Sequence, residues 1–184
     1  MAVWFLVTNL RFWQKLRRTR APYAAENCRY PVYLVEAGLP SPCLFGLFRP
    51  AIYLTPAVVT SPERLRHVLA HETAHARHLD PLWSLLRSVC LAVYWFDPLV
   101  WIAAAVSKAD GELACDEAAI QALGEGERIP YGKTLLSLIP VRTGPGSPLL
   151  SATTMTADKR QLKDRITRIA QGQQTRAAAL FLVL

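Results

Sequence analysis

No two cysteines in this chain form a C-x-x-C pair. Cys28, Cys43, Cys90 and Cys115 are scattered, so no cysteine-ligated metal is expected. Cys90 and Cys115 sit in apolar helical patterns, where a free thiol behaves as a small hydrophobe, and the usage points to a reducing compartment. An unbroken apolar run of about 20 residues, the length a bilayer-crossing helix needs, is missing as well. Met1 to Leu10 leans apolar and then gives way to Arg11, Lys15, Arg17, Arg18 and Arg20. Because the charges follow the apolar run and no small-residue cleavage site appears, a secretory signal peptide is not expected. Helix-turn-helix, zinc-finger and aromatic-basic strand patterns are lacking too, so no nucleic acid is expected as partner despite the net charge of +7.

What is present is an apolar, basic chain of 184 residues, 52% hydrophobic, long enough for one domain with a real core. Apolarity and positive charge together suit a domain lying against a membrane surface, with lipids as partners. Aromatics followed by the basic cluster make residues 1–20 resemble the end of a transmembrane or juxtamembrane helix on its cytoplasmic side; an amphipathic surface helix is the alternative. Residues 21–170 form the main domain, and residues 171–184 the start of a further membrane helix or a tail.

The chain is organised around Val68 to His75, V-L-A-H-E-T-A-H. His71 and His75 are four residues apart, so on a helix both imidazoles leave one face and can hold one Zn²⁺. Glu72 is then placed to take a proton from a water on the metal, as a catalytic acid-base. Ser61-Pro62-Glu63 supplies an N-cap, a first-turn proline and an acid, while Asp80-Pro81 is expected to stop the helix. Upstream, Pro31–Val35, Cys43–Phe48 and Ala51–Leu54 predict a small β-sheet with a hairpin, whose free edge could hold an extended peptide. Downstream, Leu82–Val106 predicts two short apolar helices around Asp97-Pro98, buried in the protein or dipping into the membrane interface. Ser107–Leu123 reads as a separate helix. A short helix from Tyr131 to Ile139 within a Gly- and Pro-rich stretch, 124–148, suggests a flap over a cleft, and 155–170 a basic amphipathic helix.

A catalytic zinc site needs three protein ligands and an open position. Glu112, on a helix apart from the two histidines, is the natural third. Asp116, one turn on, is expected to accept the free N–H of a ligand histidine and fix its tautomer, with Asp80 as a rival for that post. His67 and His78 read as surface or packing residues, and Tyr131 as a weak candidate for binding an oxyanion. The chemistry implied is hydrolysis of a peptide bond, with Glu72 passing the proton to the leaving amine.

His71-Glu72-x-x-His75 with Asp80, the Tyr94-Trp95-Phe96-Asp97-Pro98 segment and Glu112-x-x-Cys115-Asp116 together resemble the integral-membrane zinc metallopeptidases of the beta-lactam sensor-transducer (antirepressor) family, peptidase domain only. The Ser41-Pro42 to Leu54 hairpin and Leu162-Lys163-Asp164-Arg165-Ile166 are similar to theirs as well. The resemblance implies an α+β, gluzincin-like zincin domain at the cell membrane, on the cytoplasmic side. It matches His71, His75 and Glu112 to the metal ligands and Glu72 to the catalytic residue. It also implies cleavage of a transcriptional repressor or of the peptidase itself in signal transduction. Asp97 stands where an Asn is common, and His78 where Arg or Lys is common. No penicillin-binding domain lies in these residues, so beta-lactam sensing is not carried over. Two other classes compete with an enzyme: a catalytically silent membrane scaffold, and a membrane-surface or nucleic-acid-binding module built on the basic helices.

Overall fold

The computed structural model describes residues 2–25, 28–36, 39–138, 153–154 and 159–172. Helix α1 (Ala2–Thr19) leads into strands β1 (Arg20–Pro22), β2 (Val32–Val35), β3 (Cys43–Phe45) and β4 (Ala51–Leu54). A single turn, α2 (Pro56–Val59), precedes α3 (Pro62–Arg77), α4 (Asp80–Val93) and α5 (Pro98–Leu123). After a 3₁₀ turn come α6 (Arg128–Ser137), the two-residue strand β5 (Thr153–Thr154) and α7 (Lys159–Gln171). The class is α+β, with a mixed sheet in the order β1-β2-β4-β3-β5. β2 and β4 run parallel, while β3 and β4 form the antiparallel hairpin. Its turn needs Gly46, which has φ +114° and whose added Cβ would lie 2.6 Å from the Arg49 carbonyl oxygen.

The sheet is covered on both faces. Every residue of β4 is buried, and its side chains alternate between two clusters as the two-residue period of a strand requires. Ile52 and Leu54, with Leu44 of β3, face the main core of Val68, Ile120, Leu135 and Ile169. Ala51 and Tyr53, with Cys43, face Phe12 and Leu16 of α1. Fully burying a side chain such as Ile52 contributes about 1.5–3 kcal/mol. The second half of α1 is therefore docked on the sheet, and Arg11, Lys15, Arg17 and Arg18 are exposed. Among the described residues no helix is long and apolar enough to cross a membrane.

Several boundaries differ from the sequence expectation. α3 starts as read, with Ser61 Oγ accepting from the Arg64 amide at 3.4 Å and Pro62 in the first turn. It ends at Arg77, not at Asp80, because Leu79 takes a left-handed conformation, φ 58° and ψ 35°. That conformation costs a branched residue about 1–2 kcal/mol. It turns the chain so that Asp80 opens α4. Asp97-Pro98 separates two helices as read: the Asp97 carboxylate accepts from the Leu99 amide at 2.9 Å and caps α5. The expected short helix after Pro98 and the helix 107–123 are one continuous helix of 26 residues. β1 and β5 are too short to carry a strand pattern. Residues 139–152, which include much of the expected flap, and 173–184, which include most of the expected tail, lie outside the described residues.

Candidate metal centre

α3 packs along α5, and the site forms where they face each other. The four-residue spacing brings His71 Nε2 and His75 Nε2 to 3.0 Å. From α5, Glu112 Oε2 lies 3.8 Å from His71 Nε2. The three donors lie within 4.8 Å of one another, and all three residues are buried. A tetrahedral ion with bonds of about 2.0–2.1 Å holds its donors about 3.3 Å apart. The separations of 3.0 Å and 3.8 Å bracket that value. Glu112 Oε2 is also buried without a hydrogen bond. Two imidazoles and a buried carboxylate oxygen fit a divalent metal.

The far nitrogen of each imidazole is held by an acid. His71 Nδ1 lies 2.8 Å from the Tyr131 hydroxyl and 3.3 Å from Asp116 Oδ1. Tyr131 donates to that same Asp116 oxygen at 2.6 Å. His75 Nδ1 bonds Asp80 Oδ2, and the Cys115 thiol lies 3.2 Å from the same nitrogen. The left-handed Leu79 is what brings Asp80 back within reach of His75. Each anchor fixes a ring so that its Nε2 points to the shared space.

Arg165 closes the arrangement from α7. Its Nε and Nη2 donate to Asp116 Oδ2 and Oδ1, both at 2.7 Å. Its Nη1 stands 2.8 Å from Glu112 Oε2, an ion contact off the hydrogen-bonding direction. Burial opposes ionisation of Asp116, but the bonds from His71 and Arg165 outweigh it and hold the carboxyl well below the usual range. Burial, then the neighbouring His75, lower the pKa of His71, favouring the neutral ring a metal needs. For His75 burial acts the same way, yet Asp80 and Cys115 overcome it and raise its pKa. Burial pushes the Cys115 thiol up to about 11.

Glu72 is fully buried, and neither carboxylate oxygen has a hydrogen-bond partner of good geometry. Burial raises its pKa from 4.5 to about 7, against an opposing pull from His75 and with a further push from Glu112; the Leu44 backbone amide and Arg165 also pull downward. A carboxyl group poised near neutrality gives and takes protons at little cost.

The family model described as BlaR1 peptidase M56 matches residues 1–169. The chain belongs to this family. Regulatory protein BlaR1 of Bacillus licheniformis is 28% identical over 166 residues, 90% of this chain and 25% of the relative. The methicillin resistance mecR1 protein of Staphylococcus aureus is 28% identical over 103 residues, 55% of this chain and 18% of the relative. The chain thus spans about a quarter or less of the curated relatives it matches. The M56 family is one of metallopeptidases, and the α+β domain is the fold expected of its peptidase part.

Within this M56 domain some residues fall where sequence reasoning did not put them. Of the two readings of His67, surface or packing, the structure shows packing: it is buried, with Nδ1 2.8 Å from Thr134 Oγ1 and Nε2 3.1 Å from Glu127 Oε2. Tyr131 is buried behind His71, where its hydroxyl is engaged by Asp116, so it is not placed as an oxyanion donor. Cys115 is polar packing around His75, not a plain hydrophobe. Arg165 was read as part of a basic face, yet Leu162, Arg165, Ile166 and Ile169 form one i, i+3, i+4, i+7 stripe. That stripe was the available signal that Arg165 points inward. A cleft of about 1230 Å³ runs along another flank of α3 past Leu65, Leu69 and Thr73, and none of the three metal-facing residues lines it.

Proposed function

We propose that this M56 domain is a zinc-dependent endopeptidase of the cytoplasmic membrane face. In this reading His71, His75 and Glu112 hold the zinc. The observation that carries it is the convergence of those three donors beside the buried carboxylate of Glu72. When bound, zinc supplies Lewis-acid polarisation of the scissile carbonyl and makes a water more acidic. Glu72 removes the proton from the attacking water and delivers it to the leaving amine. Asp116, Tyr131 and Arg165 hold His71, and Asp80 with Cys115 holds His75, so that neither ring turns during turnover. Two histidines and one carboxylate also favour zinc over the harder oxygen-seeking cations.

The substrate in this reading is a protein of a regulatory pathway, a transcriptional repressor or the chain itself. The relatives' names, a regulatory protein and a methicillin resistance protein, support the regulatory setting. Self-cleavage is supported by β5: Thr153 and Thr154 pair antiparallel with Leu44 and Cys43 of β3. The Leu44 amide also faces Glu72, so the chain's own extended backbone lies on the strand nearest the proposed base. Purified protein loaded with zinc is expected to fragment itself or an added repressor over time. Glu72→Gln should keep zinc and lose that turnover by several orders of magnitude. Unchanged turnover in the variant would overturn the assignment, and zinc binding without any turnover in the wild type would favour a silent scaffold.

A further inference from the structure

The α4–α5 hairpin carries a large aromatic and aliphatic surface that no described element covers. Tyr94, Trp95, Phe96 and Leu99 at its tip are all at least half exposed, Leu99 by 70%, and Trp83 and Trp101 extend the surface down each arm. Exposed apolar surface on this scale marks a binding face. The tip is also well ordered by its own bonds. The Trp101 indole donates to the Trp95 carbonyl at 3.0 Å, and Asp97 caps α5. Lower down, Arg87 Nη1 donates to Ser107 Oγ at 3.3 Å and ties the arms together.

Charge along the hairpin is distributed in the same direction. From Leu82 to Ser107 the only acid is Asp97, engaged as the cap, and the only base is Arg87, engaged between the arms. Exposed cations stand at the base instead: Arg77 just before α4 and Lys108 where the apolar stretch of α5 ends. Tryptophan and tyrosine over an uncharged tip with cations at the root is the profile of a segment entering a lipid interface. The 14 residues of α4 are about 21 Å long and the uncharged first part of α5, residues 98–107, about 15 Å, both short of the roughly 30 Å hydrocarbon core. The arms therefore cannot cross, but they can enter one leaflet.

We propose that the α4–α5 hairpin inserts its Tyr94–Leu99 tip into one leaflet of an anionic bilayer as a monotopic anchor. This deepens the membrane-face reading above and names the surface that makes the contact. Insertion would place the site on α3 and α5 close to the membrane surface, because α5 runs from the tip directly to Glu112.

The test is flotation of the whole chain with phosphatidylcholine vesicles containing phosphatidylglycerol, beside the double variant Trp95→Asp/Phe96→Asp. Wild type is expected to float with the vesicles and to stay bound at high salt. The variant should lose about tenfold or more of its partitioning while keeping its far-UV circular dichroism and zinc content. Equal flotation of the variant, or loss of wild-type binding in salt alone, overturns the hairpin proposal and assigns the contact to the basic face of α1. Failure of the wild type to float, with concentration-dependent self-association blocked by the same substitutions, overturns the hairpin proposal and the membrane-face reading and makes the tip an interface between copies. Zinc binding and Glu72-dependent turnover measured without lipid report separately on the peptidase reading.

Discussion

Removing the charge of Glu72 should stabilise the metal-free protein, and only above mildly acidic pH. The carboxyl is fully buried, and burial raises its pKa from 4.5 to about 7. Below pH 4.5 it is protonated in both the folded and the unfolded chain and costs nothing. Between pH 4.5 and 7 the unfolded chain releases this proton and the folded chain keeps it, so folding stability falls as pH rises. The displacement is about 2.5 pH units at about 1.4 kcal/mol each, which gives about 3 kcal/mol by pH 8. Gln has nearly the same shape and cannot ionise. The difference in unfolding free energy between Glu72→Gln and wild type should therefore grow from near zero at pH 4.5 to about 3 kcal/mol at pH 8. Urea titrations of chelator-treated protein at several pH values measure it, and taking the difference cancels groups that do not interact with Glu72. A gap independent of pH would refute the claim that Glu72 sits as a strained, desolvated carboxyl.

Other substitutions probe the supports around the donors. Arg165→Met leaves Glu112 and Asp116 buried without their cation and should cost about 3–5 kcal/mol; Arg165→Lys should recover only part, since it cannot make the paired bonds to Asp116, and thermal denaturation ranks the three. Asp80→Asn weakens the hold on His75 and should lower zinc affinity about 10–100-fold in competition with a chelating dye, with little change in far-UV circular dichroism.

The hairpin, the start of α3 and the N-terminus of α5 were legible because each is written in local chemistry: apolar runs broken at Arg49-Pro50, a serine and proline at 61–62, an aspartate and proline at 97–98; that β3 stops at Phe45, with the turn at Gly46, was not read. The four-residue spacing likewise placed His71 and His75 on one face. Asp80 was read as a candidate to hold a ligand histidine, but not the turn that delivers it: it reaches His75 because Leu79 accepts a left-handed conformation that branched residues ordinarily avoid, and nothing in the residue type announces it. The rest of what the sequence hid was non-local. The length of α5 was missed because the apolar tip and the acidic stretch look like separate helices when read by composition. Arg165 was hidden for a related reason: a charged residue on an apolar stripe reads as exposed until two carboxylates from another helix are found facing it.

Metal analysis of the purified wild type beside Glu112→Ala and Glu72→Ala tests the centre most directly. Expected are one zinc per chain in the wild type and in Glu72→Ala, and loss of stoichiometric zinc in Glu112→Ala with the fold retained. A well-folded wild type without stoichiometric metal, or a Glu112→Ala variant that binds zinc as tightly as wild type, would contradict the claim that these donors form a metal site.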